Sequence, residues 1–232
     1  AQLDAFRDVA LPDRVRARAR AGVRELRVLS LGCASGEEPY TLAMLVRAAG
    51  LDAGWTVSIQ GFDVNPHVLE KAMRGRYSQW ALRETPPDIR ARWFRRDGAD
   101  HVIDASLRRD VRFEERNLTS GSAWVDSGYD VVFWRNVMMY LTPAAQHEAI
   151  ERVTRALAPG GYHFLGHAET LRGLPTELHL RHTNQAFYYQ LGSSDEPGAD
   201  APERRASRRA DRSWVDTIDG ASRRIHALVD AP

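Results

Sequence analysis

The stretch LSLGCASGEEPY, residues 29–40, decides the fold. An apolar run typical of a buried strand ends at Gly32, and a turn containing a second glycine follows. The acidic pair before Pro39 then marks the start of a helix, because acids favour the positive end of the helix dipole and proline needs no donor there. Glycines at such a turn let the backbone approach a ligand closely, as in α/β folds that bind adenosine-type ligands.

The chemistry of this turn distinguishes between cofactors. Its glycines lack the G-x-G-x-x-G spacing of dinucleotide sites. Glu37 and Glu38 would repel a pyrophosphate at the helix N-terminus, but they would attract a cation. S-adenosylmethionine has a sulfonium and an amino group and no phosphate, so it fits this turn better than NAD does.

Outward from the turn, short strand-like runs alternate with helical segments, which is typical of a parallel sheet flanked by helices. The predicted strands are ELRVLSL (25–31), TVSIQGF (56–62), VRFEE (111–115), YDVVFW (129–134), YHFLGH (162–167) and QAFYYQL (185–191). Helices are predicted over 39–49 and from 142 through 157, the second stopped by the Pro-Gly-Gly at 159–161. Residues 75–110 are interpreted as short helices at the sheet edge. The pattern predicts one doubly wound α/β sheet.

Composition excludes several classes of protein. The chain has 232 residues, 43% of them apolar, which is enough to fill a core. One cysteine, Cys33, allows neither an internal disulfide nor a thiolate metal cluster, and we assign no metal site. No stretch approaches the ~20 apolar residues of a membrane span, and a net charge of +1 argues against a dedicated nucleic-acid binder. We therefore expect a cytoplasmic protein without membrane insertion.

The composition also changes along the chain. Residues 1–192 are expected to form the folded domain, and the polar segment 193–212 is expected to be a linker. Apolar residues recur at helical spacing over 213–232, which predicts an amphipathic helix that docks on the domain, binds a partner or begins a further module. The arginines of residues 14–27 are interpreted as one solvated helix face, with partner binding as the alternative.

Two further strand ends carry polar residues. Asp63 ends the strand TVSIQGF, at the position where an acid bonds ribose hydroxyls in α/β nucleotide folds. Capping of the following helix is the alternative for this residue. Arg135 and Asn136 follow the strand YDVVFW. Because the carboxyl ends of parallel strands share one edge of a sheet, we expect these residues beside the glycine turn.

Five motifs carry a resemblance to a known family. In order and spacing, the sequence resembles the CheR-type chemotaxis-receptor protein-glutamate O-methyltransferases at GCASGEEPYTLAM, GFDVNPHVLEKAMRGRY, Asn117-Leu118, DVVFWRNVMMYL and LAPGGYHFLGHAETL. The resemblance covers residues 1–191. It implies a Rossmann-like class I methyltransferase fold, with a mostly parallel seven-stranded sheet and an antiparallel edge strand. It also implies S-adenosyl-L-methionine as cofactor, S-adenosyl-L-homocysteine as product, and chemoreceptor cytoplasmic domains as protein substrates that are methylated on glutamate in signalling adaptation.

The resemblance also implies roles for individual residues. With Gly32 of the turn, the cofactor-binding residues would be Glu37, Asp63, Asn117, Leu118, Arg135 and Asn136. On the acceptor side, Arg7 in AFRD would lie near the transferred methyl group, together with Arg135, and Tyr140 would lie close to the substrate. The helical domain that usually precedes the AFRD segment in this family is largely absent from the sequence.

The implied reaction makes modest demands on the protein. A glutamate side chain in water has a pKa of about 4.3, so it is ionised near neutral pH and needs no strong general base. In-line alignment and exclusion of water can contribute ~7 kcal/mol or more. Arg7 or Arg135 would orient the carboxylate, and Tyr140 would donate a hydrogen bond. Two alternatives stay open: methyl transfer to another protein or a small carboxylate, and a non-catalytic S-adenosylmethionine-binding regulatory module.

Overall fold

The computed structural model describes residues 1–51, 54–118, 127–183 and 186–192. The predicted linker and C-terminal helix, over 193–232, lie outside the described residues. The strands are β1 (Glu25–Leu31), β2 (Thr56–Asp63), β3 (Arg76–Ser78), β4 (Phe94–Asp97), β5 (Asp100–Ile103), β6 (Val111–Glu115), β7 (Tyr129–Trp134), β8 (Leu157–Leu165), β9 (Leu178–His182) and β10 (Phe187–Leu191).

The central sheet has seven strands in the order β6-β2-β1-β7-β8-β10-β9. The first five are parallel, and β10 runs antiparallel to both β8 and β9 near one edge. In register, Ser30 pairs with Gly61 on one side and with Phe133 on the other, so that β1, β2 and β7 end together. The predicted doubly wound, mostly parallel sheet is confirmed, and its carboxyl edge gathers the loops after these strands.

Helices cover both faces of this sheet. They are α1 (Gln2–Ala5), which continues through a π-helical turn (Phe6–Ala10) into α2 (Leu11–Arg20), then α3 (Glu37–Ala48), α4 (Pro66–Arg74), α5 (Pro87–Trp93), α6 (Ala105–Asp110) and α7 (Pro143–Ala156). Along β1, Val28 joins the core on the side of α2 and α3, whereas Leu29 joins the core on the side of α7. This alternation follows from the two-residue repeat of a strand. None of the described helices is long and apolar enough to cross a membrane.

The interpretation of residues 75–110 as short helices alone was wrong. Besides α5 and α6, this stretch forms a second, antiparallel sheet in the order β3-β5-β4. Its strands, of three or four residues, read RYS, FRRD and DHVI, and they are too short and too charged to show an apolar alternation. The small sheet contacts the glycine turn directly, since the Tyr77 hydroxyl donates to the Ser35 carbonyl at 2.9 Å.

The boundary between α7 and β8 differs from the prediction, and the structure has one further strand at the edge of the sheet. Helix α7 ends at Ala156 and β8 begins at the next residue, so the Pro-Gly-Gly at 159–161 lies within the strand instead of stopping the helix. Strand β9 was not predicted. Four of its five residues are exposed, because it lies at the open edge, and they give no alternating apolar pattern.

The N-terminal helices are fixed to the sheet by a cluster that we call the Asp130 clamp, formed by Asp130, Arg14, Arg18 and the backbone amide of Arg27. The fully buried Asp130 carboxylate accepts hydrogen bonds from Arg14 Nε at 3.1 Å, Arg18 Nε at 2.7 Å and Arg27 N at 3.0 Å. The interpretation of residues 14–27 as one solvated helix face was therefore wrong for Arg14 and Arg18, and also for Arg24 and Arg27, which lie beyond the end of α2. Near the opposite end of β7, Phe6 packs edge-on against Phe133 at 5.6 Å. The helical segment 2–20 thus spans the sheet from its carboxyl edge to its amino edge.

Candidate functional site

The glycine turn after β1 is tightly packed. Gly32 and Gly36 have φ angles of +67° and +88°, in the left-handed region that favours glycine. A Cβ on Gly32 would lie 2.4 Å from a methyl carbon of Val137, which follows β7. The amides of Gly32 and Cys33 both donate to the Phe62 carbonyl, at 2.8 and 3.0 Å. The turn is thereby fixed against the ends of β2 and β7, and the Val137 side chain fills the space that a side chain at position 32 would need.

Asp63 joins this turn to the loop after β2. Its Oδ2 accepts from the Ala34 amide and its Oδ1 from the Asn65 amide, both at 2.9 Å. The alternative that Asp63 caps the next helix was wrong, because Asn65 is the N-cap of α4 and its side chain accepts from the His67 amide at 3.0 Å. A carboxylate oxygen accepts more than one hydrogen bond. The partly exposed Asp63 therefore retains capacity for ribose hydroxyls.

The two acids that begin α3 have different environments. Glu37 is exposed and accepts hydrogen bonds from the Ser35 hydroxyl, at 2.8 and 2.9 Å. Glu38 points inward and accepts from the Ser30 hydroxyl at 2.8 Å and from Arg135 Nη1 at 3.0 Å. Burial raises the pKa of Glu38, and the hydrogen bonds from Ser30 and Arg135 oppose that rise. Sequence reasoning named both acids as attractive to a cation but assigned only Glu37 to the cofactor, and it did not predict the contacts of Glu38. The available signal was Ser30, a polar residue within an apolar strand that needs a buried partner.

Arg135 presents an unused donor at this edge. Its Nε is buried and has no hydrogen-bond partner among the described residues, while Nη1 is held by Glu38. Asn136, directly after it, is exposed and has a φ of +60°, which is uncommon for a residue other than glycine. Tyr140 ends the 3₁₀ turn Met138–Tyr140 with 80% of its surface exposed. The loop after β7 therefore carries a guanidinium, an amide and a phenol beside the glycine turn.

Asn117 and Leu118 follow β6 at the same edge. Leu118 packs against the core on the α7 side, and its carbonyl accepts from Arg152 Nη1 at 3.2 Å. Asn117 is exposed. Both residues follow the carboxyl end of β6, and their contact with a cofactor stays a prediction.

The partners of Arg7 in the structure are two neighbouring acids of the N-terminal helices. Its guanidinium forms ion pairs with Asp8 at 2.7 Å and Asp4 at 3.2 Å, and its side chain is 51% exposed. The hydrogen bond from Arg7 lowers the pKa of Asp8. The Gln2 side chain donates to the Leu165 carbonyl, at the last residue of β8, so α1 lies at the carboxyl edge of the sheet. The position of Arg7 near a transferred methyl group stays a prediction.

Glu169 is a residue at this edge that sequence reasoning did not assign. Its carboxylate accepts hydrogen bonds from the amides of Asn136 at 2.8 Å, Met138 at 2.9 Å and Gly166 at 2.8 Å. It thus joins the loop after β7 to the turn after β8. It lies within one of the motifs quoted above, but no spacing rule connects an acid to amides 31 and 33 residues away.

The assembled groups fit S-adenosylmethionine. Two glycines with positive φ, an aspartate with free acceptor capacity and an exposed glutamate suit a cationic, phosphate-free ligand. Cys33 is buried in the turn, and burial raises the pKa of its thiol to about 12, so it stays protonated and is not a nucleophile. Among the described residues, no group of three or more His, Cys, Asp or Glu side chains could hold a metal ion.

The strand order, the glycine turn after β1 and the acid at the end of β2 define a class I S-adenosylmethionine-dependent methyltransferase domain. Residues 1–187 match the family described as CheR methyltransferase, SAM binding domain, and the chain belongs to this family.

Named relatives agree with the family match. Over 175 residues the chain is 34% identical to the probable biofilm formation methyltransferase WspC of Pseudomonas aeruginosa, covering 71% of this chain and 41% of WspC. It is 30% identical over 195 residues to a chemotaxis protein methyltransferase of Vibrio parahaemolyticus, covering 81% of this chain and 70% of that protein. A solved TehB-like SAM-dependent methyltransferase from Corynebacterium glutamicum is 16% identical, with a TM-score of 0.43 over 78% of this chain and 94% of that one. The chain thus spans less than half of WspC.

Proposed function

We propose that this domain transfers the methyl group of S-adenosylmethionine to glutamate side chains of chemoreceptor cytoplasmic domains, forming methyl esters in chemotaxis-type adaptation. One observation carries the proposal. In a chain of the CheR family, Arg135 has a side chain that is 30% exposed and lies on the loop that packs against the glycine turn, where an acceptor carboxylate would meet the cofactor. Because the acceptors are cytoplasmic domains, we place the reaction in the cytoplasm.

The cofactor side of the proposal assigns each group a task. When bound, S-adenosylmethionine supplies an electrophilic methyl group. Asp63 would accept from its ribose hydroxyls, and Glu37 would attract its cationic end. The backbone at Gly32 would contact the ligand directly, while Asn136 with Arg135 would complete the cofactor contacts. Asn117 and Leu118 would lie beside the adenine.

The acceptor side needs orientation more than proton transfer. A receptor glutamate is already ionised, and a guanidinium can bind its carboxylate through two parallel hydrogen bonds. The Arg135 side chain is 30% exposed, and Glu38 holds its Nη1, so the part of the guanidinium that Glu38 does not hold would bind the acceptor. Arg7 would leave its exposed ion pairs with Asp4 and Asp8 to bind the substrate carboxylate. Breaking these pairs costs little free energy, because exposed ion pairs contribute roughly 0–1 kcal/mol to stability. Tyr140, which is 80% exposed, would donate a hydrogen bond from its hydroxyl to the acceptor carboxylate.

The direct test is methyl transfer. The chain is incubated with methyl-labelled S-adenosylmethionine and purified receptor cytoplasmic fragments, each paired with a variant whose candidate glutamates are replaced by alanine. Since its relatives bear names from both chemotaxis and biofilm formation, receptors of both systems belong in the set. We expect base-labile label on the glutamate-containing fragments alone. Label on the alanine variants as well would favour another acceptor, and tight cofactor binding without any transfer would favour a regulatory module.

A further inference from the structure

Glu169 makes three contacts that connect the two loops bordering the site. Oε2 accepts from the amides of Asn136 and Gly166, both at 2.8 Å, and Oε1 accepts from the Met138 amide at 2.9 Å. Gly166 leaves the space for this arrangement, because a Cβ there would lie 2.7 Å from Oε2 and 3.0 Å from the Asn136 amide nitrogen. The partly exposed carboxylate thus fits closely against three backbone amides of the two loops.

The hydrogen bond from the Asn136 amide to Glu169 offsets the free-energy cost of the backbone conformation of Asn136. The left-handed region costs free energy for a residue other than glycine, although less for asparagine than for most, and such a conformation persists where its surroundings fix it. Glu169 fixes it, because a hydrogen bond from an amide to an ionised carboxylate is stronger than one between neutral groups. The same carboxylate holds Met138, the first residue of the 3₁₀ turn that ends at Tyr140.

We propose that Glu169 is a positioning residue for methyl transfer. Through the amides of Asn136 and Met138 it holds the loop 135–140 in the conformation that directs Arg135 and Tyr140 toward the cofactor and the acceptor. This inference rests on the proposed function of the site. We assign Glu169 no proton transfer, because a receptor glutamate is already ionised near neutral pH and the reaction needs no strong general base.

The test compares Glu169→Gln and Glu169→Ala with the control Glu84→Gln, which alters a carboxylate whose side chain is 88% exposed. Glutamine offers one acceptor oxygen and sets its amino group against a backbone N–H, so it keeps part of the contact. Alanine keeps none. A misplacement of about 1 Å can cost about 100-fold in rate. We therefore expect kcat to fall about 10-fold in the glutamine variant and about 100-fold in the alanine variant, whereas S-adenosylhomocysteine affinity, still supported by Asp63 and the glycine turn, falls less than kcat.

A second readout separates positioning from general stability. Amide hydrogen exchange of the free protein should speed up at Asn136, Met138 and Gly166 in both Glu169 variants, with protection of the remaining β7 and β8 amides retained. An unchanged kcat would overturn the proposal. It would also be overturned if the loss of kcat equals the fraction of protein that a thermal denaturation curve shows to be unfolded at the assay temperature. If the glutamine variant does not fold, Gly166→Ala displaces the carboxylate while retaining it, and the same pattern of exchange and kinetics is expected.

The two proposals fail differently. If the wild-type chain methylates no receptor fragment, the proposed function fails. Exchange and S-adenosylhomocysteine titration need no acceptor, so they still decide whether Glu169 fixes the loop. If those amides exchange at wild-type rates in both Glu169 variants, the positioning role is wrong whatever the substrate is.

Discussion

Replacing Asp130 by asparagine should severely destabilise this domain. The carboxylate accepts one hydrogen bond each from Arg14, Arg18 and the Arg27 amide, at 2.7 to 3.1 Å, and Arg14 Nη2 forms an ion pair with it at 3.1 Å. Asp130 is fully buried, and the side chains of Arg14 and Arg18 are 7% and 22% exposed. Asparagine has the same shape, but it removes the negative charge and sets an amino group against donors. Removing one partner of a buried ion pair costs about 3–5 kcal/mol, because the remaining charge is left uncompensated, and we expect a loss of that size.

Equilibrium denaturation in urea, followed by tryptophan fluorescence, measures this loss, since Trp134 is fully buried beside β8. The control Glu84→Gln should change the free energy of unfolding by less than about 0.5 kcal/mol. In the asparagine background, Arg14→Met should restore part of the stability, because it removes one uncompensated buried charge. A loss below about 1 kcal/mol for Asp130→Asn would refute the reasoning, since the clamp would then be no stronger than an exposed pair.

Four further outcomes are expected. Asp63→Ala should weaken S-adenosylhomocysteine binding about 10-fold or more by calorimetry, through loss of hydrogen bonds to a charged group; an unchanged Kd contradicts the ribose assignment. Arg7→Ala should lower kcat about 10-fold with little change in cofactor Kd, and full activity would exclude an acceptor role. Cys33, whose thiol pKa burial raises to about 12, should resist iodoacetamide at pH 8.5 until the chain is denatured, so labelling of the folded protein contradicts its burial. Burial lowers the pKa of His163 to about 3, below its unfolded value of 6.5, so the folded state binds fewer protons. Stability should therefore fall as the pH falls from 6.5 toward 3, and a His163→Leu variant with the same acid dependence would contradict that contribution.

Residues at the ends of strands were the part of the site that could be located from the sequence. Once the parallel sheet is inferred, its geometry places Gly32, Asp63 and Arg135 at one edge without further information, and the structure has them there. The role of Glu38 could not be inferred in this way, because only the orientation of α3 decides which of two adjacent acids faces Ser30. Glu169 could not be found at all, since it binds backbone amides, which every residue except proline has.

Charged residues were misjudged for a related reason. An arginine-rich helix and a single aspartate in an apolar strand each look ordinary alone, and Arg14 and Asp130 are 116 residues apart in the chain. Their pairing depends on where the helix lies across the sheet. The small sheet was missed because strands of three or four residues hold too few side chains to establish a period.

The span of the N-terminal helices across the sheet has a consequence for protein engineering. Phe6, Ala10 and Leu11 belong to the same core as Val131 and Phe133. The Asp130 clamp fixes the other end of the helical segment to the sheet. A chimaera that borrows this domain from β1 onward would leave an apolar face open to water and a buried carboxylate without its two arginine partners. The unit that can be transplanted between proteins therefore begins before α1, and a fusion junction between α2 and β1 would cut through its interior.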